Sequence, residues 1–265
     1  MRLGSMFWGI TLLIFGSLLL LNNLGIISVN VWGIFPALFL IFIGAWILFG
    51  RLIFRQKHKE ENISIPLENA YEAKVTISHG AGRLNIQGNP GSNELVSGTI
   101  LGGVDINIDR KGEVLKAHLE ASRDWFFGIP PADWEHSRDW QLYLTDQIPI
   151  KLKIRTGASQ SEINLQELKI SELNISTGAS QSTIILPARA GLTEVKLESG
   201  AADTQLKIPE GVHARIRYSG GLAKCTIDEN RFPGGNNLYQ SLGYDTAQNR
   251  VNIQIDLGVG SVSVV

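Results

Sequence analysis

The sequence predicts an all-β soluble domain, a β-solenoid of 21–22-residue strand–turn–strand repeats, preceded by a two-helix transmembrane hairpin. Three observations predict it. A glycine-centred template recurs at fixed spacing, Thr-Gly-Ala-Ser-Gln-Ser stands verbatim at 156–161 and 177–182, and two nearly uncharged apolar runs open the chain. A repeat of this length is one supersecondary unit whose apolar face is covered only by its neighbours.

The template is read outward from Gly157, Gly178, Gly200 and Gly221. Five residues back stand Leu152, Leu173, Val195 and Ile216, and three back Ile154, Ile175, Leu197 and Tyr218; six forward come Ile163, Ile184, Leu206 and Ile227. Alternation of apolar and polar positions has the strand period of two, so each copy reads strand, tight turn, strand. The columns also fit Gly80 and Gly258, and a weaker copy centres on Gly102 with Thr99, Leu101 and Ile108. Gly80, Gly157, Gly178, Gly200, Gly221 and Gly258 are therefore assigned as structural turn residues, glycine being required either by a positive φ or by close backbone approach.

Four residues past the glycine come Ser161, Ser182, Thr204 and Cys225, with Leu84 and Val262 in the outer copies. The hydroxyls form a structural ladder, because no repeat supplies a histidine beside its serine to make a nucleophile. His58, His79, His118, His136 and His213 share no ligand-like spacing, so neither a metal nor a cofactor is expected. Cys225, the single cysteine, cannot form an intramolecular disulfide and falls in a core-facing column as a small apolar residue. A net charge of −1 gives no global pull toward nucleic acid.

Met6–Leu21 and Val31–Phe49 are the apolar runs. The second is long enough to span a bilayer, and the first becomes so when it extends to Ile27. Residues 1–55 thus read as a helical hairpin with spans at about 6–27 and 31–49. Arg2 precedes the first span, the loop has no Lys or Arg, and Arg51, Arg55, Lys57 and Lys59 follow the second. The positive-inside rule then places both ends and the soluble domain in the cytoplasm. Trp8, Trp32 and Trp46 near the span ends suit interfacial anchoring. Residues 56–69 read as a charged linker and 70–265 as the solenoid, whose final strand, Val262–Val265, is expected to leave an open sheet edge.

Two insertions interrupt the repeat, near 122–139 and 228–248. The first carries Trp125, Phe126, Phe127 and Trp134, aromatics too large to leave in water. They cover the solenoid's own end, the membrane surface or a partner protein. The flanking Asp124, Asp133, Glu135, His136, Arg138 and Asp139 read as a solvated rim. The second, rich in Gly and Asn with Phe232, Tyr239 and Tyr244, reads as a long loop or hairpin.

Gly4-Ser5-Met6-Phe7-Trp8-Gly9, running into Leu18–Asn23, Leu24-Gly25-Ile26-Ile27, Trp32 and Pro36, resembles the membrane region shared by LiaI and LiaF proteins. Trp140, the two Thr-Gly-Ala-Ser turns, Leu165, Leu168, Leu173, Leu186-Pro187 and the closing Asp256–Val262 resemble the C-terminal domain of LiaF-type cell-wall-active-antibiotic response proteins, related to adhesin-like, toast-rack β-solenoids. The resemblance implies a bacterial cytoplasmic-membrane, multi-pass protein that relays envelope stress, in LiaF's case by restraining a sensor histidine kinase of a two-component system. The function expected is thus a non-enzymatic regulator or adaptor with the lipid bilayer and a sensor kinase as partners. A self-assembling homo-oligomeric scaffold is the alternative, and a carbohydrate-binding or carbohydrate-active solenoid the weaker one, because no acidic pair recurs on adjacent coils.

Overall fold

The computed structural model describes residues 3–26, 33, 36–41, 43–44, 60–89, 93–122 and 139–265. They belong to two compact units, one holding the N-terminal residues to Lys57 and the other holding His58–Ser122 and Glu135–Val265. In the first, helix α1 covers Leu3–Asn23. It stops at Gly25, whose φ of 71° lets the Ile26 N–H bond the Leu21 carbonyl at 3.1 Å and the Gly25 N–H bond the Asn22 carbonyl at 3.2 Å. This closes the last turn in a Schellman motif. Residues 36–41 of the second apolar run are helical. Among the described residues no helix is long and apolar enough to cross a membrane.

The second unit is one sheet wound on itself. Its strands are β1 (Glu60–Pro66), β2 (Glu72–Asn89), β3 (Glu94–Leu101), β4 (Val104–Lys111), β5 (Val114–Ala121), β6 (Trp140–Thr145), β7 (Ile150–Asn164), β8 (Ile170–Ile185), β9 (Leu192–Lys207), β10 (His213–Ile227), β11 (Gly234–Gly235), β12 (Leu238–Gln240) and β13 (Arg250–Val264). The long strands stack in parallel in the order β2, β7, β8, β9, β13, β10. In β7 the inward positions Leu152, Ile154 and Thr156 precede Gly157, and Ser161 and Ile163 follow it. An unbent strand would keep one parity throughout; here the parity changes at the glycine, so both halves of the strand face the same interior.

That interior is built from the predicted columns. Val75, Leu152, Leu173, Val195, Ile253 and Ile216 are buried in one, and Ile86, Ile163, Ile184, Leu206 and Val264 in another. Leu165, Leu168, Leu186 and Ile208 close the third side, where the chain returns to the next coil. Each buried side chain of this size stabilises the fold by about 1.5–3 kcal/mol relative to exposure.

The structure corrects the sequence reading in several places. The bend is not a turn between two strands: each long strand continues through its glycine, and Gly157, Gly178, Gly200, Gly221 and Gly258 have no positive φ. Three of them are glycine because the backbones touch. A Cβ on Gly157 would lie 2.4 Å from the Gly80 carbonyl oxygen, one on Gly178 2.8 Å from that of Gly157, and one on Gly258 2.6 Å from that of Gly200. The Gly102 copy is not a coil, because its flanking strands β3 and β4 pair antiparallel with β6 and β5. Part of the presumed linker is β1, hydrogen-bonded along β3. The last strand is not at an edge, since β13 inserts between β9 and β10 and pairs with both.

Candidate binding faces

The two halves of each bent strand give the solenoid two outer faces, formed by the residues that alternate with the buried columns. On the first-half face, neighbouring residues follow from the ladder. One row reads Lys116, Lys74, Lys151, Glu172, Glu194, Asn252 and Arg215 across β5, β2, β7, β8, β9, β13 and β10. The next reads His118, Thr76, Lys153, Asn174, Lys196, Gln254 and Arg217, and the third Glu120, Ser78, Arg155, Ser176, Glu198, Asp256 and Ser219. Charge is unevenly sorted: Lys151, Lys153 and Arg155 make β7 basic and Arg215 and Arg217 make β10 basic, while Glu172, Glu194, Glu198 and Asp256 on β8, β9 and β13 are interrupted by Lys196. With strands about 4.8 Å apart, the face is roughly 29 Å wide.

Local contacts hold these charges in place. Lys151 Nζ lies 3.0 Å from Glu72 Oε1, and that hydrogen bond raises the ammonium above its ordinary value. Lys196 Nζ lies 2.5 Å from Glu198 Oε1; the bond raises the lysine and lowers the carboxyl. Asn252 donates to Glu194 at 2.7 Å and Asn174 to Glu172 at 2.6 Å. A cavity of about 180 Å³ opens between these rows, lined among others by Glu172, Glu194, Lys196 and Arg217. At the edge, Arg215 lies over the Tyr244 ring at 4.3 Å and pairs with Asp245 at 2.9 Å.

The second-half face has different chemistry. Its central row is Asn62, Thr99, Gln141, Asn85, Glu162, Thr183, Gln205, Ser263 and Thr226, running from β1 to β10. Amides and hydroxyls dominate, and several satisfy one another: Thr99 donates to Asn62 at 2.9 Å and Gln141 to the Tyr143 hydroxyl at 2.6 Å.

The first insertion lies in sequence between β5 and β6. β5 pairs with the first half of β2 and β6 with its second half, so the two strands flank one coil on the same side of β2. Where the chain re-enters, Asp139 accepts from Arg83 Nη2 at 2.7 Å, and Trp140 and His79 are buried edge to face with ring centroids 5.2 Å apart. Trp125, Phe126, Phe127 and Trp134 lie outside the described residues, as do Trp32, Trp46, Arg51, Arg55, Lys57 and Lys59. Trp8 falls within α1, its side chain outside the description. The second insertion forms a cap: β12 pairs with β10 at Arg215–Arg217, Phe232 and Tyr244 are buried, and Arg231 donates to the Ile208 carbonyl at 2.9 Å.

Ser161, Ser182 and Thr204 point into the core, and Cys225 is half-buried, its thiol pushed up to about 11 by burial. Among the described residues no group of His, Cys, Asp or Glu is arranged to hold a metal. The charge sorting is what sequence reasoning missed. In chain order the outward residues of each repeat look mixed, and they sort only when β5 is placed beside β2 and β13 beside β9.

These features define a class: a β-solenoid with bent parallel strands following an apolar N-terminal region. Residues 54–207 match the family model of the N-terminal domain of toast_rack, DUF2154, and residues 5–62 match the LiaF transmembrane domain. The chain belongs to the toast_rack N-terminal domain family, with a LiaF-type membrane region before it. No curated protein matches it in sequence. Among solved structures, a candidate cell adhesion protein from Clostridium sporogenes ATCC 15579 is 20% identical, with 78% of this chain and 99% of that one covered at a TM-score of 0.68. That similarity shows the fold. A candidate adhesin from Bacteroides fragilis NCTC 9343 is 9% identical over 79% of this chain and 98% of that one, and its TM-score of 0.27 carries no argument.

Proposed function

We propose that this chain is a non-enzymatic, membrane-anchored adaptor of the bacterial envelope-stress response, and that the charged first-half face docks a membrane sensor kinase. The observation that carries the reading is the sorting of Lys74, Lys151, Lys153 and Arg155 against Glu172, Glu194, Glu198 and Asp256 on one rigid face. Complementary charges on a partner fix register and speed encounter more than they add raw affinity. The family match to a LiaF transmembrane domain supports confinement in the same bilayer as the kinase, which raises the effective concentration of a weak contact. The positive charges after the second apolar run argue for two spans and a cytoplasmic solenoid.

The test is co-purification of the full chain with membrane sensor kinases of its own organism. Lys74→Glu, Lys151→Glu and Lys153→Glu together should abolish capture while circular dichroism stays unchanged; undiminished capture overturns the reading. A reporter fused after Val265 tests sidedness, and activity only outside the cytoplasm would exclude a cytoplasmic kinase domain as partner.

A further inference from the structure

The stack ends differently in its two layers at β10. In the first half, β12 covers Arg215–Arg217, and the Tyr218 N–H bonds the Asn237 carbonyl at 3.0 Å. In the second half, Leu222–Ile227 pairs with β13 on one side, and no described strand lies on the other. Backbone groups alternate along a strand, and two bonds fix the parity here. The Asp228 N–H reaches the Val264 carbonyl on β13, and the Ala223 carbonyl, pointing away, accepts the Tyr218 hydroxyl at 2.8 Å. Ala223, Cys225 and Ile227 therefore present their N–H and C=O groups to the open side.

The same residues carry the inward side chains of this coil. Their counterparts in the covered coils are fully buried, Leu84 and Val262 in the column of Cys225 and Ile86, Ile184 and Val264 in that of Ile227; here both are half-exposed. At the ridge, Leu222 is 86% exposed and its ladder partner Val259 52% exposed. The opposite end of the same layer is blunted by Pro66, which has no N–H, and by Glu60 and Glu61 on β1.

We infer that this edge is a homodimer interface, in which the β10 second halves of two copies pair antiparallel about a two-fold axis at Cys225. The register is self-complementary. Centred on Cys225, Ala223 of each copy opposes Ile227 of the other, so the open hydrogen-bonding groups face each other and the half-exposed apolar columns meet. Lys224 then opposes Thr226 on the outer side. Centring on Lys224 sets two like charges directly opposite and leaves Ile227 without a partner. The Tyr218–Ala223 bond is exchanged for a backbone bond in the pair. Two such copies join their second-half layers into one continuous sheet, and a two-fold closes, so no filament forms.

The proposal is tested on the full chain in detergent by sedimentation against concentration. The wild type should show a monomer–dimer equilibrium. Thr226→Lys, which sets a second cation opposite Lys224 at an exposed position, should weaken the dimer by about three- to tenfold, and Thr226→Glu should tighten it by a similar factor. Because Cys225 is the single cysteine, a short bismaleimide should join two chains in the wild type, less in Thr226→Lys and not in Cys225→Ser. A strictly monomeric chain, or a dimer indifferent to both Thr226 substitutions, overturns the inference. The kinase-capture assay moves independently of these variants, so failure of this interface is distinguishable from failure of the docking face.

Discussion

The two outer faces of the solenoid share its six long strands and one interior, yet charged residues crowd the first while amides and hydroxyls fill the central row of the second. Both are built on the same core: Ile154 and Ile163 of β7 are buried in it from opposite sides of Gly157. Stability is therefore set inside, and the outward positions are free to differ. A sheet needs no charge sorting to fold, since exposed pairs contribute little. Folding does not require the difference between the faces; under the proposed function it serves recognition.

The sharpest way to break this division is to disturb the shared interior. Gly157→Ala drives a Cβ to within 2.4 Å of the Gly80 carbonyl oxygen, whereas at Gly221 the nearest atom is 3.7 Å away. The first should cost on the order of 3 kcal/mol by denaturant unfolding and the second less than about 0.5 kcal/mol. Equal costs would mean that the glycine column is not held by backbone contact. Ile154→Ala, at 0% exposure, should cost about 2–5 kcal/mol.

A smaller effect separates the faces themselves. Reversing the charges at Lys151 and Lys153 should weaken kinase binding about tenfold, more so at low salt, with no change in melting temperature. The matching change on the second face, Gln181→Glu with Gln205→Glu, should leave binding unaltered. Loss from both faces would assign the contact elsewhere.

The pH dependence gives a weaker signal. Burial raises the Cys225 thiol from 9.0 to about 11, so its neutral form is favoured in the fold. Its contribution is complete below about pH 9 and is lost as pH rises through about 11, which the difference in denaturant midpoint between wild type and Cys225→Ala should follow. Least of all, Lys196→Gln should leave unfolding unchanged, because its pair with Glu198 lies in solvent.

Much of this architecture was legible in the chain. The six glycines and the columns around them appear in the sequence because each coil must present the same inward residues to its neighbours, and the coiled ladder preserves that spacing. Gly102 misled for the same reason: a strand's alternation is the same whether its neighbour runs parallel or antiparallel. β1 escaped notice because Glu60–Pro66 is charged at its exposed start and becomes a strand only beside β3.

By itself, then, the sequence determined the solenoid, its repeat length and its buried columns, because those follow from local alternation and glycine placement; that each strand runs unbroken through its glycine was decided by backbone contact between coils. The tertiary structure alone decided the order of the coils. An interior that repeats accepts the Gly258 coil in any slot, and its place between β9 and β10 depends on contacts far apart in the chain. That order also decided which charges became neighbours and which strand was left at the edge, with Leu222 exposed and no described strand on the outer side of Cys225.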